Sequence, residues 1–180
     1  MTFDISHHSG IRLDIGCGAN KQPGFVGIDV RPLPGVDIVH NVESYPWPLP
    51  DGCVLTACSS HLVEHIQPHG GVFIGFMNEA WRVMRDGGEF AIVCPHGSSQ
   101  GFLQDPTHCN PCNETTWAYF DPEESATAGL LWRIYRPFPW KIKYLSWSPA
   151  ANIEVVLVKR PWLGSLDDLW SPDCPWNFSA

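Results

Sequence analysis

Gly16-Cys17-Gly18 follows directly on the apolar run 11–15, and Asp29 closes a second apolar run eleven positions after Gly18. Glycines at such a place let the chain turn sharply after a strand and bring its backbone against a ligand with no Cβ in the way. A carboxylate ending the neighbouring strand can accept hydrogen bonds from both hydroxyls of a ribose. Together these residues describe a nucleoside-binding strand-loop-strand. The pyrophosphate of a dinucleotide asks for more, namely a third glycine three positions on and a helix N-terminus behind it. Lys21 stands at that position, and only residues 19–24 separate Gly18 from Phe25. That is too short for an ordinary crossover helix, so a nucleoside ligand without a pyrophosphate fits better.

A second set of residues could move protons. His61, Glu64, His65, His96, Asp105 and His108 all carry suitable groups. His61 and His108 lead as candidates for a general base, because each lies in a loop that follows a strand. Glu64 and His65 read as fixing a loop-to-helix transition. Cys109 and Cys112 form a CxxC that could hold zinc with His96 or Cys174, but a second CxxC is missing. No metal site is therefore expected.

The elements that must position these groups are legible in the pattern. Runs 11–15, 25–30, 36–40, 54–58 and 89–94 are short, apolar and bounded by Gly or Pro, as buried strands are. Residues 71–85 place Phe73, Phe76, Met77, Ala80, Trp81 and Met84 on one helical stripe, with Gly87-Gly88 as the expected stop. A short helix is expected over 114–120, and an antiparallel pair over 142–147 and 153–158, joined by 148–151. Residues 45–50 hold three prolines and are expected to be a surface loop. The fold class is therefore α/β, with a mostly parallel sheet and a C-terminal antiparallel hairpin. The crossover helices after the first two strands are reduced or absent, which should leave one sheet face under-covered. A Trp-rich C-terminal segment or a second subunit is expected to cover it.

Composition bounds the function. The chain has 180 residues, 44% hydrophobic and 17% charged, which suits one domain over 1–180. Net charge is −8 and no run of Lys or Arg occurs, which disfavours nucleic acid or an anionic membrane as partner. A small-molecule or protein acceptor fits better. No stretch of 18 apolar residues suggests a membrane span. Residues 1–10, including His7-His8, do not resemble a secretory signal and are expected to be mobile. The seven cysteines have no scaffold-like spacing, so reduced thiols and a cytoplasmic location are expected. Nine Trp and seventeen Pro are many for this length, and those between Trp132 and Trp176 mark the end of the chain, over 160–180 especially, as an irregular tail.

Taken in order, Leu13-Asp14-Ile15-Gly16-Cys17-Gly18, Pro23-Gly24-Phe25-Val26-Gly27-Ile28-Asp29, Pro46-Trp47-Pro48-Leu49-Pro50-Asp51-Gly52, Ser60-His61-Leu62-Val63-Glu64-His65-Ile66, Glu79-Ala80-Trp81-Arg82-Val83-Met84-Arg85-Asp86-Gly87-Gly88 and Asp105-Pro106-Thr107-His108 resemble a compact bacterial-type subgroup of the class I S-adenosylmethionine-dependent methyltransferases. The resemblance spans residues 11–120. It implies a Rossmann-like fold, S-adenosyl-L-methionine as cofactor, and methyl transfer to an oxygen or nitrogen atom of a small or medium-sized acceptor. It also implies roles: Asp14, Gly16, Cys17 and Gly18 by the methionine part, Asp29 by the ribose with Val30 also cofactor-binding, Asn41 and Val42 by the adenine, and Ser59, Ser60 and His61 by the sulfonium and the substrate entrance. Asn20 replaces the family's usual third glycine, and Asn41 stands where the family often has Asp. A binding module that keeps the fold without the chemistry, or a nucleotide-dependent oxidoreductase, are the alternative readings.

Overall fold

The computed structural model describes residues 10–124, 132, 137–147 and 151–161. Seven strands form one sheet in the order β3-β2-β1-β4-β5-β7-β6. They are β1 (Ile11–Ile15), β2 (Val26–Asp29), β3 (Ile38–Val39), β4 (Val54–Ser60), β5 (Met84–Pro95), β6 (Trp140–Trp147) and β7 (Asn152–Lys159). The first five run parallel, and β7 pairs antiparallel to both β5 and β6. Helix α1 (Val72–Val83) follows two short 3₁₀ turns, Val63–His65 and His69–Gly71, while α2 (Gln100–Leu103) and α3 (Glu114–Ala118) are one turn each.

Loops rather than helices carry the chain from β1 to β2 and from β2 to β3, as the short spacings imply. Side chains hold these loops in shape. The Asp14 carboxylate accepts from the Gln22 amide at 2.8 Å, and Asp37 accepts from the Gly27 amide at 2.7 Å and from Lys21 Nζ at 2.6 Å. Strand β3 is shorter than the run 36–40, but the amides of Asp37 and His40 still bond to Gly27 and Asp29 of β2.

The stripe on α1 does bury its aromatics. Phe73, Phe76, Met77 and Ala80 join Phe90, Trp117, Phe120 and Trp140 in one core against the sheet. Three sequence expectations need correction. The helix stops at Val83, not Arg85: Met84 turns extended (φ −69°, ψ 142°) and pairs with Val54 as the first residue of β5. Gly87-Gly88 is therefore no helix stop. Val54 pairs with Met84 but Thr56 with Glu89, so Gly87 (φ 73°) lies in an excursion inside β5. The Pro-rich loop is not merely superficial either. Trp47 and Leu49 are buried in the core, and the Trp47 amide donates to the enclosed Glu79 carboxylate at 2.6 Å. Buried polar groups hold their place only when bonded in this way.

In β5 and β7 buried residues alternate with half-buried ones, so Phe90, Ile92 and Cys94 face the α1 core. Ala91 and Val93 stand on the other face, half-exposed among the described residues. The link expected over 148–151, the mobile 1–10 and the tail 160–180 lie largely outside the described residues.

Candidate functional site

The parallel strands deliver their C-terminal ends to one rim, where ligands of such sheets bind. Ile15 ends β1, and the backbone swings out through Gly16 (φ 71°) and Gly18 (φ 54°), a left-handed conformation that side chains resist. The amides of Gly16 and Cys17 remain tied to the Ile28 carbonyl of β2. Beside them, Asp29 is buried, accepting from the Gly18 amide on Oδ2 and the Arg31 amide on Oδ1, both at 2.9 Å. Burial alone would raise this carboxyl. The Arg31 and Gly18 amides and the Arg31 guanidinium outweigh burial and hold it below the ordinary carboxylate value.

A cavity of about 160 Å³ opens there, lined by Gly16, Asp29, Val30, Asn41, Val42, Glu43, Leu62, His65 and Ile66. It is smaller than the 300–1,000 Å³ typical of sites that enclose a whole drug-sized ligand, and so admits one end of a ligand. Its chemistry is divided. Val30, Val42, Leu62 and Ile66 offer apolar walls for a flat ring, and Asp29 and Asn41 offer acceptors. Among the described residues no Lys or Arg lines it, and Asp29 and Glu43 are acidic, which suits a neutral or cationic ligand and opposes a pyrophosphate.

Of the residues singled out in the sequence, Gly16, Asp29, Val30, Asn41 and Val42 meet at this cavity. Asp14 works one layer below, holding the loop through Gln22. Burial, with Asp14 and Asp29 near by, pushes the Cys17 thiol up to about 11, so it packs as a small apolar group. Ser59 is buried with an Oγ that has no partner among the described residues, and Ser60 stands exposed at the end of β4. An orphaned hydroxyl beside the strand end is the kind of donor a bound ligand would satisfy. Glu43, Leu62 and Ile66 were not found from sequence, and His65 was read there as a proton carrier and as fixing a turn, not as a wall of the cavity. They sit on the irregular segments after β3 and β4, where neither helical nor strand periodicity marks which side chains turn inward.

His61 is the first residue past β4 and has φ 54°, rare for a side chain with a Cβ, while its amide bonds the Val93 carbonyl at 2.8 Å. Such strain is typical of functional positions. The ring is about half exposed, with Nδ1 3.3 Å from the enclosed Glu64 Oε1. His108 is nearly buried. Its Nδ1 donates to the Phe102 carbonyl at 3.0 Å, and its ring meets His65 edge-on at 4.7 Å. The segment bearing His108 is fastened to the turn after β4. The amides of Cys109 and Asn110 both bond the Glu64 carbonyl, and Asn110 Nδ2 bonds that of Val63. Cys109 instead offers its thiol to the His65 carbonyl, and Cys112 is buried in the core. The CxxC cysteines join no group of three metal-ligating side chains among the described residues.

No protein-family model and no curated protein matches the sequence. The fold does match solved structures, and it is the fold of the class I S-adenosylmethionine-dependent methyltransferases. A SAM-dependent methyltransferase from Archaeoglobus fulgidus aligns with TM-score 0.58 at 18% identity over 84% of this chain and 86% of its own. A SAM-dependent methyltransferase from Methanosarcina mazei aligns with TM-score 0.55 at 16% identity over 88% of this chain and 96% of its own. The cyclase SpnF aligns with TM-score 0.55 at 14% identity over 87% and 78%, so the architecture also serves other chemistry. No helix among the described residues is long and apolar enough to cross a membrane.

Proposed function

We propose that this protein transfers a methyl group from S-adenosylmethionine to an oxygen or nitrogen atom of a small or medium-sized acceptor. The observation that carries the reading is Asp29. It is an ionised carboxylate at the end of β2, with both oxygens already fixed by backbone amides and capacity left on each for a ribose diol. The acidic, cation-free cavity supports a sulfonium nucleoside over a dinucleotide.

When bound, S-adenosylmethionine supplies an electrophilic methyl group on a positively charged sulfur. The chain's part is alignment and exclusion of water. The turn from Gly16 to Gly18 brings backbone against the ligand, Asp29 holds its sugar, and Val30, Val42, Leu62 and Ile66 clasp its base, with Asn41 at the base's edge. Ser59 and Ser60 flank the transfer end. His61, tied at the lip of β4 by its amide bond to the Val93 carbonyl and with its ring half exposed, would take the proton of a hydroxyl acceptor. His108 orders the neighbouring loop against His65.

Calorimetric titration with S-adenosylmethionine, S-adenosylhomocysteine and NAD tests the reading. The first two should bind and the third should not. A protein that binds neither of the first two is not a methyltransferase of this kind.

A further inference from the structure

Glu64 lies in the turn after β4, and its side chain has no exposure to solvent. Among the described residues neither carboxylate oxygen has a hydrogen-bond partner. His61 Nδ1 approaches Oε1 at 3.3 Å, within ion-pair distance but out of line for a hydrogen bond. Enclosing a carboxylate without donors is costly, so such a group calls for a compensating cation or proton.

Two imidazoles converge on the same point. One ligand atom from each of Glu64, His65 and His108 lies within 4.8 Å of the others. Both rings are anchored through Nδ1. His108 Nδ1 donates to the Phe102 carbonyl at 3.0 Å. His65 Nδ1 faces the Thr107 carbonyl at 3.4 Å and its hydroxyl at 3.2 Å. That hydroxyl spends its own proton on Asp105 Oδ1 at 2.7 Å, so it accepts from His65. Bonds of this kind, from the nitrogen that does not meet a metal, are how ligating histidines are oriented. They leave Nε2 of each ring with its lone pair. Asp105 Oδ2 stands 3.7 Å from His108 Nε2, a further oxygen at the rim.

We propose that Glu64, His65 and His108 form a site for one divalent transition-metal ion of the zinc type, opening on the cavity that His65 helps to line. Two imidazoles and one carboxylate are the donors of zinc or iron(II) sites that keep open positions, and too rich in nitrogen for magnesium or calcium. A tetrahedral zinc with bonds of about 2.0–2.1 Å holds its ligand atoms about 3.3 Å apart, so the widest pair need close by only about 1.5 Å. Glu64 is placed by a turn tied to the Cys109 and Asn110 amides, which brings segments far apart in sequence to one ion. The open positions take oxygen ligands. That one of these is an acceptor oxygen beside the methyl group rests on the methyl-transfer reading.

The test uses the full chain, stripped with a chelator, titrated with zinc by calorimetry and with cobalt(II) by visible absorption. The expected result is one equivalent per chain and cobalt bands without sulfur charge transfer. His65 is exposed and its loss spares the core, so His65→Ala should fold. That variant and Glu64→Gln should each weaken binding by at least the 10–100-fold seen for outer-shell changes. His7→Ala with His8→Ala should change nothing. Uptake below about a tenth of an equivalent overturns the site, given the tight binding of built zinc sites. So does binding that survives His65→Ala, or a sulfur band that assigns the metal to Cys109 or another thiol. Wild-type protein that binds S-adenosylmethionine but no metal refutes the metal site alone, and metal binding without S-adenosylmethionine binding refutes the methyl-transfer reading alone.

Discussion

Replacing Asp29 with alanine probes the ligand site most directly. Its carboxylate has about four acceptor positions. Gly18 N occupies Oδ2 and Arg31 N occupies Oδ1, each at 2.9 Å. About two positions remain, one on each oxygen, matched to two adjacent hydroxyls once the Arg31 guanidinium, 3.5 Å from Oδ1, shares that oxygen. Hydrogen bonds to a charged group contribute about 1.5–3 kcal/mol. Water entering in place of the carboxylate returns part of that, leaving a loss of about 1–3 kcal/mol. At about 1.4 kcal/mol per decade this is about 5–150-fold in Kd for S-adenosylhomocysteine, read by calorimetry. The substitution also frees two loop amides, so a control must separate bonding from loop collapse. Asp14→Ala removes the Gln22 anchor of the same loop, and Asp14 is not one of the residues that line the cavity. A 2′-deoxyribose analogue completes a double-mutant cycle. It should bind wild type more weakly than the parent ligand and bind Asp29→Ala nearly as well as the parent does. Binding by Asp29→Ala within twofold of wild type would refute the ribose assignment. So would an analogue weakened by the same factor in both proteins.

Four further outcomes follow from the same geometry. The folded-state value of Asp29 is depressed, so its contribution to stability is present above the unfolded carboxylate value of about 3.9 and fades as pH falls through the folded value; in urea unfolding, the advantage of wild type over Asp29→Asn should hold from neutral pH down to about 5 and shrink below about 4, and growth on acidification would contradict this. Glu79 accepts from Trp47 N and pairs with Arg82 at 2.6 Å; Arg82 keeps Asp51 as a partner, so Glu79→Ala should lose about 1–3 kcal/mol, the cost of leaving the buried Trp47 amide unpaired, and a loss under about 0.5 kcal/mol by the same assay would show that water satisfies that amide. A Cβ on Gly27 would fall 2.6 Å from Cys17 Sγ and 2.7 Å from Lys21 Cδ, so Gly27→Ala should cost about 1–3 kcal/mol of stability and weaken ligand binding by shifting the loop, and an unchanged melting temperature with unchanged affinity would dismiss the close approach. His61→Gly should be more stable than His61→Ala by about 1 kcal/mol, because only glycine accepts φ 54° without strain, and equal unfolding midpoints would argue against that strain.

The glycine turn beside the cavity was legible because its signals are local. Gly16, Gly18 and Asp29 have chemistry that depends on strand ends a few residues away, and the six-residue gap 19–24 alone excluded a crossover helix. The other wall of the cavity was not legible. Leu62, His65 and Ile66 lie around a single 3₁₀ turn, too short to show a period, and their direction is set by the Asn110 and Cys109 bonds from 44 or more residues away. Gly87-Gly88 misled for a different reason. A glycine ending a helix and one inside a strand excursion look alike in sequence, and the pairing of Met84 with Val54 decides between them. Trp47 was hidden by the prolines beside it, since a proline-rich loop gives no sign that one of its rings is a core residue held by Glu79.

The chain from β1 to β2 and on to β3 has no helix to insulate the sheet from the ligand loop. The Gly16 and Cys17 amides bond β2 directly, and Asp29 belongs at once to β2 and to the cavity. Occupancy and edge-strand order are therefore one equilibrium: whatever free energy a ligand contributes is drawn on by the pairing of β2 with β3, which is only two residues long. Opening of that edge, followed by amide hydrogen exchange, should slow in proportion to ligand saturation while the β5–β7 amides keep their own rate.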